Sequence, residues 1–166
     1  MNGSDKKRGI SSWAIGLFSL LVSICYPDDF PEATPFPVVG NIYDGKGQEA
    51  GKAHVYPQYV EIMNRSGQLV GKIGILTEDG IRKLFIVRQD NTRTLVGYAV
   101  PTEVPNKGRI LDHEDNVKGT YIWTPTWSFI YQPEGKRVGK VKCIAWPRVC
   151  AAGVGSYLLG FFNPGK

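Results

Sequence analysis

Residues able to do chemistry are few in this chain, and their spacing narrows what they could do. His54 and His113 are the two histidines, and neither falls in an HxH or HExxH pattern that would mark a metal or proteolytic site. Asp112-His113-Glu114-Asp115 gathers three carboxylates. It lacks the spaced ligands and the Gly of a calcium loop, so a solvated turn is the expected role. No GxSxG, Walker or GxGxxG element occurs, so no nucleophile and base can be named. The chain is not expected to be an enzyme or to hold a cofactor or metal; a hydrolase with an unfamiliar site is the competing class.

Cysteine chemistry is equally sparse. Cys25, Cys143 and Cys150 contain no CxxC pair. In an exported protein Cys143 and Cys150 could close a small disulfide loop and leave Cys25 over; otherwise all three read as buried thiols.

The elements that must position these residues follow from composition. A chain of 166 residues has room for one domain with a real core. Hydrophobic residues at 42% and charged residues at 21% are those of a globular protein, and 20 Gly with 11 Pro argue for many turns rather than long helices. The formal net charge is +5. From Val38 to Lys142 there are 15 basic and 11 acidic residues, too mild a surplus for a duplex nucleic-acid binder.

Residues 1–26 form a basic start, with Lys6, Lys7 and Arg8, before an apolar run from Ile10 to Tyr26. That layout suits an export signal or a membrane anchor lying as an apolar helix, with membrane contact through residues 10–26. Cys25 follows a lipobox-like approach, but Ile24 is not the small residue lipidation needs. Residues 27–37 are a Pro-rich acidic linker, and residues 38–166 form the domain. A plain cytosolic protein with a buried N-terminal helix is the alternative.

Within the domain a pattern returns. "IYDGKGQEAGKA", "IMNRSGQLVGKI", "RQDNTRTLVGYA", "ILDHEDNVKGTY" and "IYQPEGKRVGKV" align on Gly51, Gly71, Gly97, Gly119 and Gly139. Asp44, Asn64, Asp90, Asp112 and Gln132 stand seven residues earlier, and Ile42, Ile62, Arg88, Ile110 and Ile130 nine earlier. Four earlier come Gly47, Gly67, Arg93, Asp115 and Gly135, so units three and four depart from the pattern. Asp or Asn opening a turn and Gly closing it signal a hairpin with a bulge. Period-two alternation places each anchor Gly on the core face, where another backbone is expected to come close. The expectation is an all-β fold of about five tandem hairpins around a pseudo-symmetry axis. The apolar end of the chain, from Cys143 to Phe162, is expected as a buried closing strand, with Tyr157 to Phe162 filling the middle.

These units, with the finish "AAGVGSYLLGFF", resemble the bacterial β-flower proteins, small tandem-hairpin domains often placed behind an export signal. That resemblance implies a fold and brings no catalytic residue. "IMNRSGQLVGKIGILTEDGIRKLFIV" is similar to the PRC-barrel pattern, which would imply a cytosolic adaptor or assembly module. Lys52, Lys72 and Lys140 share the slot after the anchor Gly and could form an anion-binding rim on the solvent side. Trp123, Trp127 and Trp146 could offer a stacking surface, or be core. The expected role is a non-enzymatic, membrane-associated or extracytoplasmic structural or binding module. Its expected partner is a protein or an anionic ligand, not nucleic acid.

Overall fold

The computed structural model describes residues 35–162, so the apolar segment of residues 10–26, its proposed helix and Cys25 lie outside the described residues. The strands are β1 (Val38–Asp44), β2 (Glu49–Tyr56), β3 (Tyr59–Met63), β4 (Leu69–Glu78) and β5 (Ile81–Val87). They continue as β6 (Arg93–Pro101), β7 (Lys107–Asp112), β8 (Val117–Trp123), β9 (Trp127–Tyr131) and β10 (Arg137–Lys142), and α1 (Pro147–Leu158) follows. Each strand pairs antiparallel with its sequence neighbours, and β1 also pairs with β10, which closes a barrel of ten strands. The domain is therefore an all-β antiparallel barrel with one C-terminal helix.

Period-two alternation sorts the two faces. Ile42, Val55, Ile62, Ile73, Leu84, Ile110, Ile130 and Val141 are fully buried and point inward. One end of the barrel carries the turns β1–β2, β3–β4, β5–β6, β7–β8 and β9–β10, and is called the turn end. The other four strand connections, the start of β1 and the entry to α1 share the opposite loop end.

The turns are built by side chains accepting backbone protons. Asp44 Oδ1 accepts the N–H groups of Lys46 and Gln48, each at 2.9 Å. Asn64 Oδ1 does so for Ser66 and Gln68, and Asp112 Oδ1 for Glu114 and Asn116. Gly47, Gly67 and Gly135 then take positive φ. Asp115 occupies that place in the fourth turn with φ 66°, a conformation Asp tolerates better than most residues.

The third hairpin corrects the sequence alignment. Its turn runs from Arg88 to Asn91, with Asn91 at φ 62°, so the left-handed residue is Asn91 and not Arg93. Gly97 pairs with Leu84, just as Gly51 pairs with Ile42 and Gly71 with Ile62. Leu84 thus fills the apolar place that fixed spacing gave to Arg88. This hairpin is longer by two residues on each strand, a change that keeps every side chain on its face. In all five hairpins the register shifts by one residue beside the anchor Gly.

The apolar end of the chain is a helix, not a closing strand. Pro147 stands at the first helical position, where its missing N–H costs nothing, and Trp146 precedes it with φ 54°. All eight residues from Val149 to Ser156 are buried, as expected of a helix packed on every side by β strands. Small residues let it pass. A Cβ on Gly153 would meet Val60 at 2.5 Å, and one on Gly155 would run into Ile110. At the far end Gly160 (φ 88°) donates to the Tyr157 carbonyl and Phe161 N–H to that of Ser156, a Schellman ending that folds the chain back.

That ending explains most of the anchor glycines. A Cβ on Gly71 would collide with the Phe162 ring, and one on Gly97 would come within 3.1 Å of Phe161. One on Gly119 would meet Leu159 at 2.7 Å, and one on Gly139 would meet Leu158 at 2.7 Å. At Gly51, Gly97, Gly119 and Gly139 the carbonyl of a neighbouring strand also comes too close for a Cβ, from Met63, Leu111, Tyr131 and Tyr43 respectively. Residues 158–162 therefore fill the turn end, and the absent side chains make the room.

A disulfide joins Cys143, just after β10, to Cys150 in α1, and both cysteines are fully buried. It ties the helix to the wall at its entry.

Two measurements test this packing. Gly139→Val should lower unfolding free energy by about 1–3 kcal/mol, seen as a lower urea midpoint at unchanged slope, because the Tyr43 carbonyl cannot yield without breaking the β1–β10 ladder. Gly71→Val should cost less, since its obstacle is the Phe162 side chain rather than a ladder carbonyl; unchanged midpoints in both variants would refute the packing. Tryptic mapping without reductant should recover peptide 143–148 linked to peptide 149–166. Separate peptides would show that the disulfide does not form.

Candidate binding surface

With α1 buried inside the barrel, the candidate surface is the outer wall. The slot after each anchor Gly holds Lys52, Lys72, Tyr98, Thr120 and Lys140, all on outward-facing positions. Lys140, Lys52 and Lys72 stand on β10, β2 and β4, alternate strands of one continuous sector, β10-β1-β2-β3-β4. Neighbouring lysines are two strands apart, roughly 10 Å across the sheet, and are offset by two residues, about 7 Å, along it. The lysines form an arc rather than a closed rim, since Tyr98 and Thr120 occupy the remaining places.

Aromatic rings lie beneath two of the three. Lys140 Nζ is 4.3 Å from the Trp127 ring centroid and 5.4 Å from that of Tyr43, with the two rings 5.8 Å apart. Lys72 Nζ lies 3.6 Å above Tyr59, which stacks on Tyr56 at 4.2 Å, and 3.8 Å from Glu61. Cation–π contact of this kind orients an ammonium and leaves its outer hydrogens free to donate. Burial pushes the Tyr59 hydroxyl up, aided by Tyr56 and the Glu61 charge, so it stays a neutral donor. Lys52 is exposed, between Asn41 and Met63 in register.

At the turn end of the same sector, a shallow cleft separates the first and fifth turns. Lys46, Lys136 and Arg137 line it with Asp44, Gln48 and Gln132. Asp44 already spends one oxygen on its own turn, so the cleft is cationic on balance.

Other candidates scatter. Trp127 stands on the outer wall with Phe129 at 6.5 Å. Trp123 lies at the loop end under Arg148, whose guanidinium carbon is 5.1 Å from the ring, and Trp146 is buried against Phe36 at 4.5 Å. The three tryptophans therefore make no common stacking surface. His54 is half-buried on β2, and exposed His113 lies 3.9 Å from Glu114. Among the described residues no three His, Cys, Asp or Glu side chains converge as a metal site would need.

The acidic turn has a structural task. Burial opposes ionisation of Asp112. Hydrogen bonds from the Asn116 side chain and Lys118, with those from the Asn116 and Glu114 backbone, outweigh it. Together they hold the carboxyl well below the usual carboxylate range. Lys118 Nζ is 3.0 Å from Oδ2. In the third turn the Thr92 hydroxyl and N–H likewise hold the Asp90 carboxyl down.

What spacing along the chain missed is Tyr43 and Tyr59, and that these rings and Trp127 face the lysines. Their outward positions are readable from alternation, but their partners lie on other strands.

No protein-family model matches the chain, and no curated protein is similar to it at a significant level. A solved structure, a Bacteroides fragilis protein with a YmcC-like fold, aligns at 11% identity over 70% of this chain and 97% of that one, with a TM-score of 0.34. An overlap that low assigns neither fold nor role.

The Asp112 turn carries a pH test. A folded-state pKa held below the unfolded value of about 3.9 stabilises the fold above that pH, and the gain disappears as pH falls through the folded pKa. Asp112→Asn keeps the turn acceptor, as Asn64 shows, and removes the charge. The variant should melt earlier than wild type at neutral pH, and the gap should narrow progressively below about pH 4. A gap constant across that range would assign the effect to packing instead.

Proposed function

We propose that this chain is a non-enzymatic binding module, exported or tethered to a membrane, that takes an anionic ligand or an acidic protein partner on its outer wall. It is a ring of five hairpins about a pseudo-symmetry axis, of the β-flower kind. The observation that carries the reading is the seam between β1 and β10. There Lys140 is held over Trp127 and Tyr43, beside the cleft of Lys46, Lys136 and Arg137. Ordered cations beside aromatic faces suit sulfated or carboxylated sugars, acidic headgroups and acidic side chains, because ring faces take apolar surface while the ammonium groups take charge. A buried disulfide is the kind of bond that persists in an oxidising compartment, which supports export.

The test uses dextran sulfate as the polyanion. Wild-type binding should weaken as salt rises. Replacing Lys52, Lys72 and Lys140 together by alanine should weaken it roughly tenfold, at about 0.5 kcal/mol for each exposed charge. Equal binding by the triple variant would reject the arc as the site.

A further inference from the structure

We propose that the loop end of the barrel rests against a lipid bilayer, seated by the β1/β10 sector, with the hairpin turns pointing away. This deepens the tethered reading above and rests on it. Among the described residues ten large apolar side chains are exposed. Leu69, Val70 and Val117 belong to the turn end; the other seven lie at the loop end or in the last residues of strands reaching it. The most exposed of the seven are Ile144 at 70%, Val104 at 56%, Phe36 at 51% and Val39 at 49%. Val104 stands in the β6–β7 connection, and the other three form one sector at the β1/β10 seam. Phe36 packs on Trp146, and a Cβ on Gly40, next to Val39, would meet the Lys142 carbonyl at 2.6 Å and Cys143 Sγ at 3.0 Å.

Among the described residues Lys142 closes β10 beside Ile144, Phe36 and Val39, and Arg148, the second residue of α1, lies over Trp123 at the same end. Across the barrel, on the β4–β7 side, Glu78, Asp79 and Glu103 stand among Lys83, which pairs with Glu78 at 2.5 Å, and Lys107, so charge there is balanced. Apolar side chains flanked by Lys and Arg are what the headgroup region of a bilayer accepts, since the long stems snorkel while their charges meet phosphate. The β1/β10 sector would enter first.

The chain's own layout names the occupant. The run from Ile10 to Tyr26 joins the barrel at this end, next to Phe36. Residues 27–34 are all that separate the run from Pro35, a reach of at most about 30 Å when fully extended. A membrane holding the run therefore cannot be far from these side chains.

The experiment uses the full chain carrying Cys25→Ser, so that a single introduced thiol takes an environment-sensitive fluorophore. Labels are placed through Phe36→Cys, Val39→Cys, Val117→Cys or Leu69→Cys. Each chain is reconstituted with vesicles of phosphatidylcholine and phosphatidylglycerol containing a spin-labelled lipid quencher. Quenching should be several-fold stronger at positions 36 and 39 than at 117 and 69. Adding Val39→Glu and Ile144→Glu should reduce it at position 36. Vesicle-bound chains quenched equally at both ends would overturn the seated orientation and leave the tether standing. Labels at 36 and 39 shielded from both the lipid quencher and aqueous iodide would overturn it in favour of a protein or chain segment covering the patch. Chains that stay in the supernatant would overturn both readings.

Discussion

Everything in this barrel depends on the contact between the end of α1 and the ring of anchor glycines. Eight strands enclose about the space that wall side chains can fill by themselves, and ten enclose more. The surplus here is taken by a helix, and a helix has a backbone wider than any side chain. The wall must therefore recede where the helix end spreads into Leu158, Leu159, Phe161 and Phe162. Gly71, Gly97, Gly119 and Gly139 are that recession. A register shift stands beside each of them, the kind of irregularity that lets a strand bend locally.

The same contact settles where binding can occur. With α1 occupying the middle of the barrel among the described residues, the outer wall and the two ends are the surfaces open to a partner. On the wall, Lys72 and Lys140 trade some reach for order by lying on rings from other strands. An ordered ammonium loses less entropy on meeting an anion than a free one, which is the physical basis for preferring these positions over scattered surface charge. The ends differ in kind. The turn end is knitted by Asx hydrogen bonds and carries the cationic cleft, whereas the loop end presents most of the exposed apolar side chains.

Local turn chemistry was readable because it is local. Asp44, Asn64 and Asp112 bond backbone groups two and four residues away, so spacing alone points to them. The third hairpin escaped that logic. Its two added residues per strand preserve alternation but break fixed offsets, and Asn91 takes the left-handed place that a search for Gly passes over. The Cys143–Phe162 segment misled for a different reason. Its Ala and Gly content argues weakly for any element, and Pro147 reads as an interruption until it is seen to open the helix.

The sequence by itself determined the alternation of faces, the hairpin turns and the glycine at each inward position, because each depends on residues within a few places of one another. Only the tertiary structure decided what those glycines face, that the apolar end is a helix inside the wall, and which rings lie under which lysines. Those outcomes depend on the volume left when ten strands close and on pairings between distant strands. No period in a single chain encodes either quantity.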